Sequence, residues 1–278
     1  MKIPEVVKEL SSRSKRFKIK KAPKQNHPLA IEKKYESNLL KLVRKQHKLL
    51  KQYLYPQLPK FVQEYTVDTY ADETQDITNF VDEIMAGDID GMITRNMVYS
   101  TALSVGSFNK KQVDKVFRKM VGVDLFSDDI NLQKAISPFV TENVNLIKTI
   151  PQEYTKRVRN AIAVGARNGF TSTEVAKLLE KEFKITKNRA KLIARDQIGK
   201  FNGNLTRIRQ ERVGIKEYTW RTSLDERVRG NPSGRYPNAR PSHFAREGKK
   251  FKYKKPPPGG NPGEPVQCRC TAEPVIEL

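Results

Sequence analysis

Residues 215–278 hold both cysteines of the chain, its single tryptophan and one of its three histidines, in a stretch too rich in Pro and Gly for ordinary helix or sheet. The order runs Trp220-Arg221-Thr222-Ser223-Leu224-Asp225-Glu226-Arg227-Val228-Arg229, then Arg240-Pro241-Ser242-His243, then Pro256-Pro257-Pro258-Gly259-Gly260, then Cys268-Arg269-Cys270. A segment this irregular buries too little apolar surface to fix one conformation by itself, so something besides a large core must hold it.

Cys268 and Cys270, two apart in an extended chain, project to the same face. One intervening residue is too short for an ordinary disulfide between them. With His243 they offer two thiolates and an imidazole, and Asp225 is a candidate fourth ligand, an acceptable tetrahedral zinc set without the spacing of a standard finger. The other reading makes the thiols compact hydrophobes on a small buried sheet, with His243 a hydrogen-bonding loop anchor and no cofactor. Both readings stay open on the sequence. Asp225 also lies among Arg221, Arg227 and Arg229, where a carboxylate between guanidinium groups fixes a loop by ion pairing. An enzymatic alternative pairs Asp225 with His243 as acid and base, with Arg227 or Arg229 holding a phosphate, as in a nuclease or transferase.

Charge is distributed in blocks. The net formal charge is +22, and residues 1–60 carry 17 Lys/Arg against 4 Asp/Glu. Residues 61–94 carry 9 acidic side chains and no Lys or Arg, and 207–255 carry 15 basic against 5 acidic. Two basic blocks around an acidic window suggest surfaces with different partners, polyanions for the basic ones; the plainer reading is a solvated basic surface. No apolar run is long enough to span a bilayer and no signal peptide is visible, so the expectation is a soluble protein of a reducing compartment, without a membrane partner.

Residues 1–30 read as a basic flexible arm, with few large apolar groups between Ser11 and Pro28. Glu32–Leu54 has helical periodicity, ended by Pro56 and Pro59. Further helices are expected near Asp72–Ala86, over Ile89–Val105 and over Lys110–Val121. Pro151 suits the first turn of a helix running to Asn168 and closed by Gly169. Thr171-Ser172-Thr173-Glu174 is a capping box opening Val175–Phe183, and Thr186 caps a long helix ended by Gly214. After Gly214 the pattern alternates: Ile215–Thr222, Lys249–Tyr253 and Val266–Cys270 are strand candidates. The fold class is therefore α+β, a mainly helical N-terminal two-thirds followed by a small irregular β-containing C-terminal domain. The expected division is 1–30 arm, 31–145 helical docking domain, and 146–278 with helices over 151–214 and a β region over 215–278.

The C-terminal half resembles the phage Mu F-like minor head proteins, the phage head morphogenesis family. The resemblance rests on an ordered set: Leu192-Ile193-Ala194-Arg195-Asp196-Gln197, Tyr218-Thr219-Trp220-Arg221-Thr222, the Asp225-Arg227-Arg229 turn, His243 with Gly248 and Phe251, and Cys268-Arg269-Cys270. Two departures are visible: Asp196-Gln197 stands where the family usually has Thr-Glu, and Gly230 to Ser242 separates His243 from the Arg turn. The resemblance implies a virion protein of few copies, attached to the portal, acting in head assembly and DNA delivery, and does not establish an enzymatic activity. The partners it implies are the portal protein, double-stranded DNA bound without sequence preference, and capsid or scaffolding protein, in the virion interior near the portal vertex. Candidate phosphate contacts are Lys15, Arg16, Lys18, Lys20 and Lys21 on the arm, and Arg221, Arg227, Arg229, Arg235 and Arg240 in the loops.

Overall fold

A computed structural model of the chain describes residues 2–63, 79–84, 91–124 and 132–277. It is an α+β protein whose helices are α1 (Ile3–Arg13), α2 (Leu29–Leu49), α3 (Leu58–Gln63), α4 (79–84), α5 (Gly91–Val121), α6 (Leu132–Arg167) and α7 (Ser172–Arg212). The strands are β1 (Glu217–Arg221), β2 (Lys250–Lys252) and β3 (Thr271–Pro274). Among the described residues no helix is long and apolar enough to cross a membrane.

Two compact units form, one of Met1–Glu32, Ser100–Phe139 and Arg195–Leu278, the other of Lys33–Tyr99 and Val140–Ala194. Both units are discontinuous in sequence. The reason is helix length: α7 has 41 residues, and at about 1.5 Å per residue such a helix outruns one small core, so its two ends serve different ones.

The helices are longer than their local signals. Pro151 lies inside α6 and does not open it. The buried stripe Ile147, Ile150, Tyr154 and Val158 runs straight across that position, so packing on both sides overrides the local preference for a break. Thr186 does not cap: its hydroxyl turns back to donate to the Glu182 carbonyl at 2.9 Å, and α7 continues. The capping box is formed, with the Thr171 N–H donating to Glu174 at 2.8 Å and the Glu174 N–H donating to the Thr171 hydroxyl at 3.3 Å. Likewise α5 is continuous where two helices were expected, because Gly106 lies against the Leu132 side chain inside a packed face. Pro56 and Pro59 change the helix type without ending the buried stripe. Leu50–Leu54 forms a π turn and Tyr55–Gln57 a 3-10 turn, and Leu50, Leu54 and Leu58 stay buried at four-residue spacing. Of the helix expected near Asp72–Ala86, only 79–84 falls within the described residues, and it is helical.

In the second unit Leu50, Leu54 and Leu58 pack with Val81, Tyr154, Val158, Val175 and Leu179. In the first, α1 buries Ile3 and Val7 among Val113, Val116, Phe117, Val213 and Ile215, and the Ile3 N–H donates to the Val213 carbonyl at 2.8 Å. The N-terminal arm is thus anchored. Beyond α1 it runs extended, with Phe17, Ile19 and Ala22 packed against the same cluster, so an alternating pattern replaces the helical one.

The small sheet is antiparallel in the order β2-β1-β3, with Tyr218 opposite Phe251 and Trp220 opposite Ala272. Tyr218 and Trp220 face inward with Tyr253, Cys268, Cys270 and Ala272. The third strand begins at Thr271, later than the expected Val266–Cys270, because Gln267 takes a left-handed φ of 55° and Pro265 to Cys268 turn, the Cys268 N–H donating to the Pro265 carbonyl.

Candidate functional site

Burial alternates from Cys268 through Cys270 and Ala272 to Pro274, so the two thiols share the inward face although they precede the strand. His243 enters from the opposite loop. Its backbone N–H donates to the Arg229 carbonyl at 2.9 Å, and its ring meets Trp220 edge-on, centroids 5.3 Å apart at 68°. His243 Nδ1 then stands 3.7 Å from Cys268 Sγ and 3.6 Å from Cys270 Sγ. All three side chains are buried, at 3%, 5% and 9% exposure. The Gly263 N–H donates to Cys268 Sγ at 3.4 Å. A hydrogen bond from Cys270, with those from His243 and Gly263, outweighs burial and holds the Cys268 thiol well below its ordinary range. Cys270, which gives that bond and is buried, is pushed up.

The loop carrying Cys268 rests on one stripe of α7. Asp196 Oδ1 accepts the Gln267 N–H at 2.9 Å, and a Cβ on Gly199 would lie 2.9 Å from the Cys268 carbonyl oxygen. A Cβ on Gly203 would lie 2.5 Å from the Pro262 carbonyl oxygen. Positions 196, 199 and 203 lie on one helix face, so an acidic cap and two absent side chains let the backbone approach. Buried Gln210 extends the docking, donating to the Ala272 carbonyl at 2.9 Å and accepting from the Tyr253 hydroxyl at 2.9 Å.

Asp225 does not join the thiol–imidazole group. Its carboxylate accepts from the Arg227 backbone N–H at 2.9 Å and from Arg227 Nη2 at 3.2 Å. Among the described residues the clustered donors are His243, Cys268 and Cys270 alone. With Nδ1 turned to the sulfurs, His243 is not placed as the proton partner of Asp225. A cavity of about 280 Å³ opens beside the cluster, lined by all three of its residues together with Arg195, Asp225 and Arg227.

The candidate phosphate contacts fall into two groups. Lys15 and Arg16 are exposed in the turn that follows α1, and Lys18, Lys20 and Lys21 are exposed on the extended arm beyond it, while Phe17 and Ile19 between them pack inward. None of the five is ion-paired among the described residues. Arg221 is committed within the fold, bonded to Glu273 and Glu247. Arg227 pairs with Asp225, Arg235 pairs with Glu226 at 2.5 Å, and Arg229 donates to the Val266 carbonyl at 2.8 Å. Arg240 is exposed.

Residues 156–273 match the family described as Phage Mu protein F like protein. Over these residues the chain is similar to that family. An uncharacterized protein of Haemophilus influenzae is 34% identical over 173 residues, which cover 61% of this chain and 36% of that protein. The chain therefore spans about a third of the length of this relative. No solved structure matches significantly.

The Mu F-like span takes in α7, the sheet, the thiol–imidazole cluster and every loop arginine named above, and leaves the basic arm outside. Sequence reasoning singled out Asp196 only as a departure from the family pattern, and missed Gly199 and Gly203. Their signal was present as two glycines four apart in the middle of a helix, a spacing that marks close backbone approach when a helix tolerates it.

Proposed function

We propose that this protein is a head component of a tailed bacteriophage, acting in head morphogenesis and DNA delivery, and that its arm binds duplex DNA without sequence preference. The match of residues 156–273 to the Mu F-like family supports the head assignment. The observation that carries the DNA contact is the exposed series Lys15, Arg16, Lys18, Lys20 and Lys21, none of them ion-paired among the described residues, in the anchored turn and extended segment that follow α1. Such a row neutralises phosphates and releases counterions without reading bases. The loop arginines contribute less to this reading, because Arg221, Arg227 and Arg235 already face carboxylates. The remaining partners in this reading are the portal protein and capsid or scaffolding protein, near the portal vertex inside the particle.

Two measurements test it together. The protein is expected in purified particles, and a tagged copy is expected to retain the portal protein after nuclease treatment. Absence from particles sinks the head assignment. Loss of the portal on nuclease treatment means that DNA alone bridges the two, and removes the direct portal contact.

A further inference from the structure

We propose that His243, Cys268 and Cys270 hold a zinc ion whose fourth position faces the adjacent cavity and takes an exchangeable ligand from solution. The inference rests on this cluster alone and is independent of the head assignment.

The distances suit an ion at the centre. With Zn–S of about 2.3 Å and Zn–N of about 2.0 Å at a tetrahedral angle, ligand nitrogen and sulfur lie about 3.5 Å apart. His243 Nδ1 stands 3.6 Å and 3.7 Å from the two sulfurs, and all three donor atoms lie within 4.8 Å of one another. Hydrogen bonding alone serves this arrangement less well, because Nδ1 offers a single proton or a single lone pair to two sulfurs at once. A disulfide is no better, since Cys-x-Cys spacing strains the required dihedral. An ion accepts a lone pair from each of the three.

The site is built around its donors. The thiols are aligned by the alternation running into β3, and Cys268 Sγ accepts the Gly263 N–H. The loop is clamped to α7 at Asp196, Gly199 and Gly203, and His243 is held by the Arg229 carbonyl. All three donors are buried, so water reaches an ion there only from the side of the adjacent cavity. Two thiolates with one imidazole select zinc over the harder cations.

Three protein ligands leave one coordination position. Asp225 cannot fill it while bonded to Arg227. The cavity lined by Arg195, Asp225 and Arg227 reaches the same three donors, so water, hydroxide or a small anion completes the shell.

The full chain, purified under reducing conditions without chelator, is expected to carry one zinc by elemental analysis. Cobalt-loaded protein is expected to show thiolate-to-cobalt charge transfer and the intense visible bands of a four-coordinate ion. Those bands are expected to shift on adding azide, which enters the fourth position. His243→Ala and Cys268→Ser are each expected to weaken zinc binding by more than about tenfold. Should these variants fail to fold, wild type decides: chelator is expected to lower the melting temperature, and zinc but not magnesium to restore it. Zinc well below one equivalent after reconstitution, with no charge-transfer band and no effect of zinc on melting, overturns the site. Cobalt bands indifferent to azide overturn the open position.

Discussion

Arg221 and Glu273 meet diagonally across the β1–β3 ladder in a two-pronged pair, Nε to Oε2 at 3.0 Å and Nη2 to Oε1 at 3.0 Å. The remaining Arg221 nitrogen donates to Glu247 at 3.2 Å, and Glu247 also accepts the Thr222 N–H at 2.6 Å. These bonds, led by the one to Glu273, raise the Arg221 guanidinium above its ordinary range. An arginine that seemed free to face phosphate in the sequence is thus the tie that closes one end of the sheet.

Arg221→Ala is expected to destabilise the first unit by on the order of 1 kcal/mol, a modest figure because both side chains keep some solvent contact. Arg221→Lys should recover only part of it, since a lysine cannot make the parallel pair. Chemical unfolding of the single and double variants with Glu273→Ala checks this. Additive losses would show that the pair contributes nothing.

Gly203→Ala places a methyl group against the Pro262 carbonyl. Alanine favours helix over glycine by about 1 kcal/mol, but here the clash is with backbone that cannot swing aside. The expected outcome is a net loss of about 1–3 kcal/mol, with greater reactivity of Cys268 toward a thiol reagent as its loop lifts. A stabilised variant with unchanged thiol reactivity would contradict the docking.

Stability of the second unit should depend on pH through His47. Its Nε2 faces Glu180 at 3.1 Å and its Nδ1 faces the Tyr154 hydroxyl at 2.8 Å, while Phe183 stacks on the ring with centroids 3.7 Å apart. The neutral ring satisfies both, donating from Nε2 and accepting at Nδ1. Burial lowers its pKa, outweighing Glu180, which favours the charged form; Lys51 and Lys187 add to the lowering. The folded state therefore binds the proton less readily than the unfolded chain. The contribution is complete above the ordinary histidine value of 6.5 and is lost as pH falls toward the depressed one. Urea unfolding over about pH 5–8 should show this slope, and His47→Gln should flatten it.

DNA affinity should fall linearly in log–log form with salt. Replacing Lys15, Arg16, Lys18, Lys20 and Lys21 by Ala should reduce the slope by about 0.9 for each phosphate that is no longer neutralised. Arg235→Ala, which removes a side chain already paired with Glu226, should leave it nearly unchanged. Fluorescence anisotropy at several salt concentrations separates the two, and equal effects would place the DNA-binding surface elsewhere.

Local grammar was legible wherever a few neighbouring residues decide the outcome. The Thr171–Glu174 box, the left-handed glycines Gly169 and Gly214 that close α6 and α7, and the strand around Trp220 follow from propensity and capping. Pro151 and Thr186 misled for the opposite reason. Their local preference is worth little beside a buried stripe that extends on both sides of them.

By itself the sequence determined an α+β chain, the helical and strand segments, and two thiols sharing one face, because periods of 3.6 and 2 and a two-residue spacing are local geometry. It also marked the C-terminal half as Mu F-like. Only the tertiary structure decided that His243 reaches those thiols while Asp225 does not, and that Arg221 serves the sheet while the arm lysines are exposed. It likewise decided that Gly199 and Gly203 admit the cysteine loop to α7. Those outcomes depend on which surfaces meet across long sequence separations, and burial, carboxylate pairing and backbone approach are settled only when they do.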